Sequence, residues 1–192
     1  MKTEIKTGSF VHVVATINKT AGDGKIMYVN PSVSTVASDA LIGCWDSKFE
    51  YAFWRPVTAI RAGGGNPYLA ADPAWIGLVI TPNHPEYPAA HGCFSGSVVE
   101  VLRAYFHTDH LHFTMSSPAP GLLQPVRSYD RFSQVLTDIL DARVYGGMHY
   151  RNSTVVGAEL GRKVARQAIE HFFRPCGDKR CGSKIELARI QE

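Results

Sequence analysis

Residues 44–61 read CWDSKFEYAFWRPVTAIR, and within them Lys48 and Arg55 stand seven positions apart in largely apolar and aromatic text. At 3.6 residues per turn, seven positions make nearly two turns, so the spacing predicts a helix through Arg55 with both cations on one face. Traced back to residue 33, Ala37, Leu41, Cys44, Lys48, Tyr51 and Arg55 follow the i, i+4, i+7 steps of one stripe. Such a stripe is the face a helix buries, and two buried cations call for an anion. Taken alone, the pair also fits cations that reach solvent along their apolar stems.

The same periodicity recurs three times downstream. One helix is predicted from about His91 to Phe106, with Phe94, Val98, Leu102 and Tyr105 along one side. A second runs from about Tyr129 through Phe132, Leu136, Ile139 and Arg143 until Gly146 and Gly147 interrupt it. A third follows His149 with Val156, Leu160, Val164, Ala168 and Phe172, and Pro175 stops it. Four amphipathic helices with little strand signal predict an all-α fold, a helical bundle. The turn-forming segments RAGGGNPY (61–68), TPNHPEYP (81–88) and SSPAPG (116–121) separate or border these helices. The triple glycine at 63–65 lacks the Lys-Ser/Thr of a phosphate-binding loop and reads as a turn. The expected organisation is one helical domain over 33–175, a loosely structured segment at 1–32 and a tail at 176–192.

Composition narrows the function. A formal charge of +3, with basic residues dispersed, argues against a nucleic-acid surface and for a local anion site. No apolar run approaches the roughly 20 residues that span a bilayer, and the weakly apolar stretch at 10–17 lacks a cleavage site, so the chain reads as soluble with its compartment open. Cys44 and Cys93 lie in apolar helical text and read as packing residues. Cys176 and Cys181 frame CGDKRC, which supplies only two of the four ligands of a structural zinc, and read as a free pair. His107, His110 and His112 in FHTDHLHF have no carboxylate or thiolate at a recognised metal spacing.

Two further fragments carry chemistry. NHPEYPAAHG (83–92) places His91 behind a proline-led helix entry, and DARVYGGMHYR (141–151) links Arg143 to His149 across a Gly-Gly break. Either residue alone has a plain reading, His91 as a helix-start histidine and Arg143 as a cation complementing a helix dipole. Together, Lys48, Arg55, Arg143, His91 and His149 make a basic pocket for a tetrahedral oxyanion, with arginine forks matching paired oxygens and lysine giving a compact donor. A helix starting near Pro88 adds the outward N–H groups of Ala89, Ala90 and His91. His84 and Glu86 read as pocket-entrance or solvated loop residues, outside the catalytic set. Trp54 and Phe53 are candidates for shaping the choice of an organic substrate.

The order Lys-x6-Arg-Pro (Lys48, Arg55, Pro56), Pro-x-x-His (Pro88, His91), Arg-x5-His (Arg143, His149) resembles the vanadium-dependent haloperoxidase and type 2 phosphatidic acid phosphatase superfamily, in its haloperoxidase-related branch, over roughly residues 33–175. The resemblance implies the helical bundle of the acid phosphatase/vanadium haloperoxidase type and a vanadate cofactor, with phosphate fitting the same site. It implies that a His149 ring nitrogen binds vanadium, while Lys48, Arg55, Arg143 and the Ala90 N–H hold the oxygens. His91 then serves as acid–base group for peroxide, with a pKa near neutrality that needs little tuning. Lys48 polarises bound peroxide toward halide. The implied substrates are hydrogen peroxide, a halide and a small organic acceptor. One alternative is a phosphatase that forms a phosphohistidine at His149; another is a shortened, non-catalytic anion-binding homologue.

Departures from the family pattern are specific. Ala89 stands where the family has an anion-binding serine, Ala142 replaces the serine before the arginine, and Ser153 occupies the place of an aspartate that orients the second histidine. Family members are also longer before the Lys48 element, so apolar helix faces are expected to be uncovered here and a homodimer to cover them.

Overall fold

The first helix ends before it reaches Arg55, at Tyr51, with Ala52 following at φ +43°. In the computed structural model, which describes residues 31–68, 70–117 and 123–172, α1 spans Pro31–Tyr51 and α2 spans Pro56–Ala62. A residue before proline is pushed out of the helical region, and Arg55 is extended at φ −79°, ψ 154°, as the N-cap of α2. The single helix carrying both Lys48 and Arg55 is therefore corrected to two helices with a bend between them. Val33, Val36, Ala37, Ala40, Cys44 and Lys48 are the buried face of α1, while Tyr51 is exposed.

The remaining elements are α3 (Ala90–Phe106), β1 (His110–Ser116), β2 (Val126–Arg131), α4 (Phe132–Tyr145) and α5 (Arg151–His171). The bundle is mainly helical, with β1 and β2 forming an antiparallel hairpin in which Phe113 pairs with Tyr129. Tyr129 is thus in a strand, and α4 starts three residues later than its periodicity suggested. Local chemistry sets that start: Gln134 Oε1 accepts the N–H groups of Asp130 and Arg131, and the Asp109 carboxylate accepts both N–H and Oγ–H of Ser133.

Helices α3 and α5 form the centre, with α1 against both on one side and α4 against both on the other. Their seam is built from small residues. Gly92, Gly96, Ser95 and Ser97 on α3 and Gly157, Ala158, Gly161 and Ala165 on α5 are buried, whereas Phe94, Val98, Leu160 and Val164 are only half-buried. A Cβ at Gly157 would sit 2.5 Å from the Ala89 carbonyl oxygen, and one at Gly92 would sit 2.7 Å from that of Thr154. Larger aliphatic groups fill the flanks. Val33, Val36, Val101, Ala165 and Ala168 form one apolar cluster, and Val99, Phe132, Leu136 and Ala158 form another with Leu111 and Phe113 of the hairpin packed on it.

Several expectations fall on residues outside the described ones: the stretch at 10–17, nearly all of the segment at 1–32, the CGDKRC loop, Pro175 and the tail at 176–192. No described helix is long and apolar enough to cross a membrane. Large apolar side chains stand exposed on α1 (Ile42, Phe49) and on the loop holding Ile76, Leu78 and Ile80.

Candidate active site

The fold brings one end of each principal helix to a common place. Lys48 comes from the last turn of α1, Arg55 from the α2 N-cap, Ala90 and His91 from the first turn of α3, Arg143 from the last turn of α4, and His149 from two residues before α5. The Gly146-Gly147 break makes the last connection tight. Gly147 has φ +76°, and the Arg143 carbonyl accepts the N–H groups of both Met148 and His149 at 3.2 Å. Arg143 and His149 are therefore held together by backbone as well as by sequence.

Lys48 is wholly buried and donates to the carbonyl oxygens of Pro85 and Glu86, each at 3.0 Å. An ammonium has three protons, so one remains for an anion. Burial lowers its pKa to about 8, with Arg55 pushing the same way and Cys44 opposing. The Cys44 thiol itself lies 3.7 Å from the Pro88 carbonyl, and Cys44 and Cys93 are both fully buried, in keeping with a packing role.

Arg55 is the most connected cation. Nε donates to the His84 carbonyl at 3.0 Å, Nη1 donates to the Met148 carbonyl at 2.8 Å and approaches His149 Nε2 at 3.1 Å, and Nη2 lies 3.0 Å from His84 Nδ1. A guanidinium only donates, so the His149 Nε2 facing it carries the lone pair. The other ring nitrogen meets a carboxylate. His149 Nδ1 lies 2.8 Å from Glu86 Oε1, and both side chains are almost wholly buried. These two contacts fix one tautomer: Nδ1 protonated toward Glu86, Nε2 open toward the cations. Burial and then the Arg55 charge lower the His149 pKa, against the opposing pull of Glu86, which keeps the ring neutral.

Glu86 also accepts the Tyr150 N–H at 3.0 Å and the Ser153 hydroxyl at 2.5 Å. Burial raises its pKa, but the three donors outweigh that and hold it below the usual carboxylate value. Sequence reading left Glu86 and His84 at the pocket entrance or in solvent, outside the catalytic set; the structure sets Glu86 against His149 and His84 against Arg55. The available signal was Ser153: where an orienting carboxylate is absent at its customary place, another must reach the histidine. His84 stacks edge-on against Trp45 at 4.7 Å.

His91 stands at the solvent side of the cluster on the second residue of α3. The crowded site strips part of its hydration, and Arg143, His149, His84 and Lys48 add like charge, so its pKa falls to about 4. The near-neutral pKa expected from sequence is corrected: at neutral pH His91 is a neutral imidazole. A second correction concerns the helix entry. The Ala89 N–H donates to the Ser153 carbonyl at 3.0 Å and is not offered to an anion, while Ala90 and His91 occupy the first turn of a helix that no side chain caps. Away from the site, His112 lies 2.7 Å from Asp130 across the hairpin, and His107 closes α3 in a left-handed conformation.

Two observations show that this cluster suits an oxyanion. Arg143 Nε is buried and has no hydrogen-bond partner among the described residues. The Glu86 carboxylate is taken up by His149, Tyr150 and Ser153, so it makes no direct ion pair with Lys48, Arg55 or Arg143. A separate cavity of about 800 Å³ lies beside the cluster, lined by Tyr51, Phe53, Trp54, Ile60, Tyr87 and Tyr150.

Residues 30–177 match the family described as the VCPO second helical-bundle domain. The chain belongs to that family. This VCPO-type bundle is 32% identical over 85 residues to vanadium chloroperoxidase of Curvularia inaequalis, a match that covers 39% of the chain and 14% of that protein. It superposes on the crystal structure of a bacterial vanadium-dependent iodoperoxidase with a TM-score of 0.64 at 33% identity, covering 72% of the chain and 32% of that structure. It also shares its fold with a holo-type bacterial vanadium-dependent chloroperoxidase, at TM-score 0.61 and 23% identity, over 72% of the chain and 34% of that one. The chain thus spans about a third or less of the length of these relatives. The vanadium haloperoxidase-like family and the helical bundle implied by the three motifs hold, and the site lies within the matched region.

Proposed function

We propose that this VCPO-type bundle is the vanadate-holding part of a haloperoxidase, which oxidises a halide with hydrogen peroxide and passes the oxidised halogen to a small organic acceptor. One observation carries the reading: a neutral, fully buried His149 presents its Nε2 lone pair to Arg55 in a pocket where Lys48 and Arg143 have donors to spare.

The donor set fits vanadate. His149 Nε2 would ligate the metal, and Lys48, Arg55, Arg143 and the Ala90 N–H would hold the oxygens. Vanadate held there would supply a Lewis-acid centre that polarises peroxide toward halide, the overall reaction consuming hydrogen peroxide, halide and one solvent proton and giving hypohalous acid and water. The protein's own groups do the rest. His91, neutral at working pH, takes a proton from entering hydrogen peroxide and returns it to departing water. Lys48 and Arg143 offset negative charge on the oxygens, and burial strengthens both by excluding water. The aromatic cavity formed by Phe53, Trp54 and Tyr150 suits a small organic acceptor.

The phosphatase alternative uses the same lone pair to attack phosphorus, but it needs a protonated His91 to release the alcohol, and a pKa of about 4 works against that. The test is bromide- and peroxide-dependent halogenation by purified protein, with and without orthovanadate, beside His149→Ala. Turnover that needs vanadate and is lost in the variant supports the haloperoxidase. Phosphate release that vanadate blocks selects the phosphatase, and no turnover in any condition selects a non-catalytic anion-binding homologue.

A further inference from the structure

The Nδ1 edge of His149, opposite the nitrogen that meets Arg55, abuts a buried carboxylate. That carboxylate is Glu86. Its side chain is fully buried, and each oxygen is used: Oε1 accepts from His149 Nδ1 and from the Tyr150 N–H, and Oε2 accepts from Ser153 Oγ. The backbone of Glu86 is pinned as well, its N–H donating to the Phe53 carbonyl at 2.9 Å and its carbonyl accepting from Lys48 at 3.0 Å. A residue held at both main-chain groups and at both carboxylate oxygens has little freedom, and the imidazole it holds inherits that order.

We infer that Glu86 is the positioning residue that selects the His149 tautomer, and that Ser153 is its obligate counterpart, a small donor that makes room for one carboxylate reaching in from the 83–88 loop. An aspartate at 153 would set a second carboxylate against Oε2, where the hydroxyl now sits at 2.5 Å. Two like charges in a buried space repel, so the site takes a carboxylate from the loop or from α5, but not from both. Glu86 acts through His149: it meets Nδ1, whereas Arg55 meets Nε2 on the opposite edge of the ring.

The consequence for anion binding is directional. With Glu86 ionised, the proton belongs on Nδ1 and the lone pair on Nε2, where Arg55 already donates. Without a carboxylate the ring loses its proton acceptor. The Nε2–H form then becomes accessible, and it turns a hydrogen toward Arg55 in place of a lone pair.

This inference deepens the reading of His149 as the vanadate ligand, and its test separates from that reading because tautomer and anion affinity are measured without turnover. Nitrogen-15 NMR of the His149 ring in the anion-free protein, with calorimetric titration by inorganic phosphate and by orthovanadate, is applied to wild type, Glu86→Gln, Glu86→Ala, Ser153→Asp and the double variant Glu86→Ala/Ser153→Asp. The wild type should show the Nδ1–H tautomer. Glu86→Gln, whose amide oxygen can still accept from Nδ1, should keep it. Glu86→Ala should give a mixture of tautomers and lose about 10- to 100-fold in anion affinity, the usual effect of removing such a partner. Restoring a carboxylate from α5 in the double variant should return the tautomer and most of the affinity, and its melting temperature should exceed that of either single variant. Unchanged tautomer and affinity in Glu86→Ala, or a folded double variant no better than Glu86→Ala, overturns the inference. If Glu86→Ala does not fold, Glu86→Gln and the double variant decide the question alone. A protein that passes while failing to halogenate keeps the positioning role and loses the vanadate reading.

Discussion

Arg55 Nη1 stands 3.1 Å from the Nε2 of His149, and neither side chain is freely exposed. The cation therefore occupies the Nε2 lone pair of His149, and whatever binds at that nitrogen must share or displace it. Arg55→Ala should weaken binding of orthovanadate or phosphate by roughly 10- to 100-fold, the worth of one to two charge-assisted hydrogen bonds. Arg55→Lys should fall between, since it keeps charge but loses the planar fork. Calorimetric titration measures both. Equal affinity in Arg55→Ala and wild type would mean that the anion sits elsewhere.

Lys48 gives the anion site an upper pH limit. Its pKa is lowered to about 8, so its charge is lost as pH rises through that value. Sulfate, whose own charge is constant in this range, should bind progressively more weakly above pH 8, and Lys48→Arg should flatten the decline. The stability term has the opposite slope. A depressed lysine pKa means the unfolded chain holds more protons between about 8 and 10.5, so this group's contribution to stability rises with pH across that window.

His91 should titrate near pH 4 in the anion-free protein, read from its imidazole NMR signals, and phosphate should move the midpoint upward by cancelling the Arg143 and Lys48 charges. The unfolded chain takes up this proton near 6.5, so stability declines as pH falls from 6.5 toward 4. His84 and His149, also depressed, add to the decline in the same direction. A His91 midpoint that stays near 6.5 with and without phosphate would falsify this account.

Ala89→Ser should restore an N-cap hydroxyl at the start of α3, where no side chain caps the helix now. Anion affinity should improve by about fivefold, equivalent to about 1 kcal/mol. Calorimetry with phosphate reads the gain, and an unchanged affinity would show that the hydroxyl cannot turn to the pocket.

Gly157→Ala should destabilise the bundle by about 1–3 kcal/mol, because its methyl would meet the Ala89 carbonyl at 2.5 Å where two backbones touch. Chemical denaturation measures the loss. A variant as stable as wild type would show that α3 and α5 can part without cost.

The motifs made the anion site legible because charge in apolar text is conspicuous. Lys48, Arg143, His91 and His149 all fall where the spacing put them, and α3, α4 and α5 lie close to their predicted bounds. The errors have local causes. The Arg55 stripe ignored the conformational demand of Pro56 on the residue before it. The hairpin was missed because HLHFTMS and VRSYDR bury little, so their period-2 pattern is faint, and Tyr129 fitted a helical stripe equally well. The α5 stripe was drawn through Val156, Leu160 and Val164, although glycine and alanine form the buried seam. Hydrophobic periodicity cannot see a face defined by smallness. The contact of Glu86 with His149 was not legible for a different reason: the two are 63 positions apart, and a carboxylate in a proline-rich loop reads equally as solvent-facing text.

His91 opens α3 and His149 leads into α5, so on the proposed reading the spacing of the acid–base group and the nitrogen ligand follows the spacing of those two helices. That spacing is gauged by glycines whose own missing side chains take no part in the pocket. The tuning of the chemistry is then partly stored in a mechanical dimension of the scaffold, and drift at Gly92, Gly96, Gly157 or Gly161 would detune the pair while leaving every pocket side chain in place.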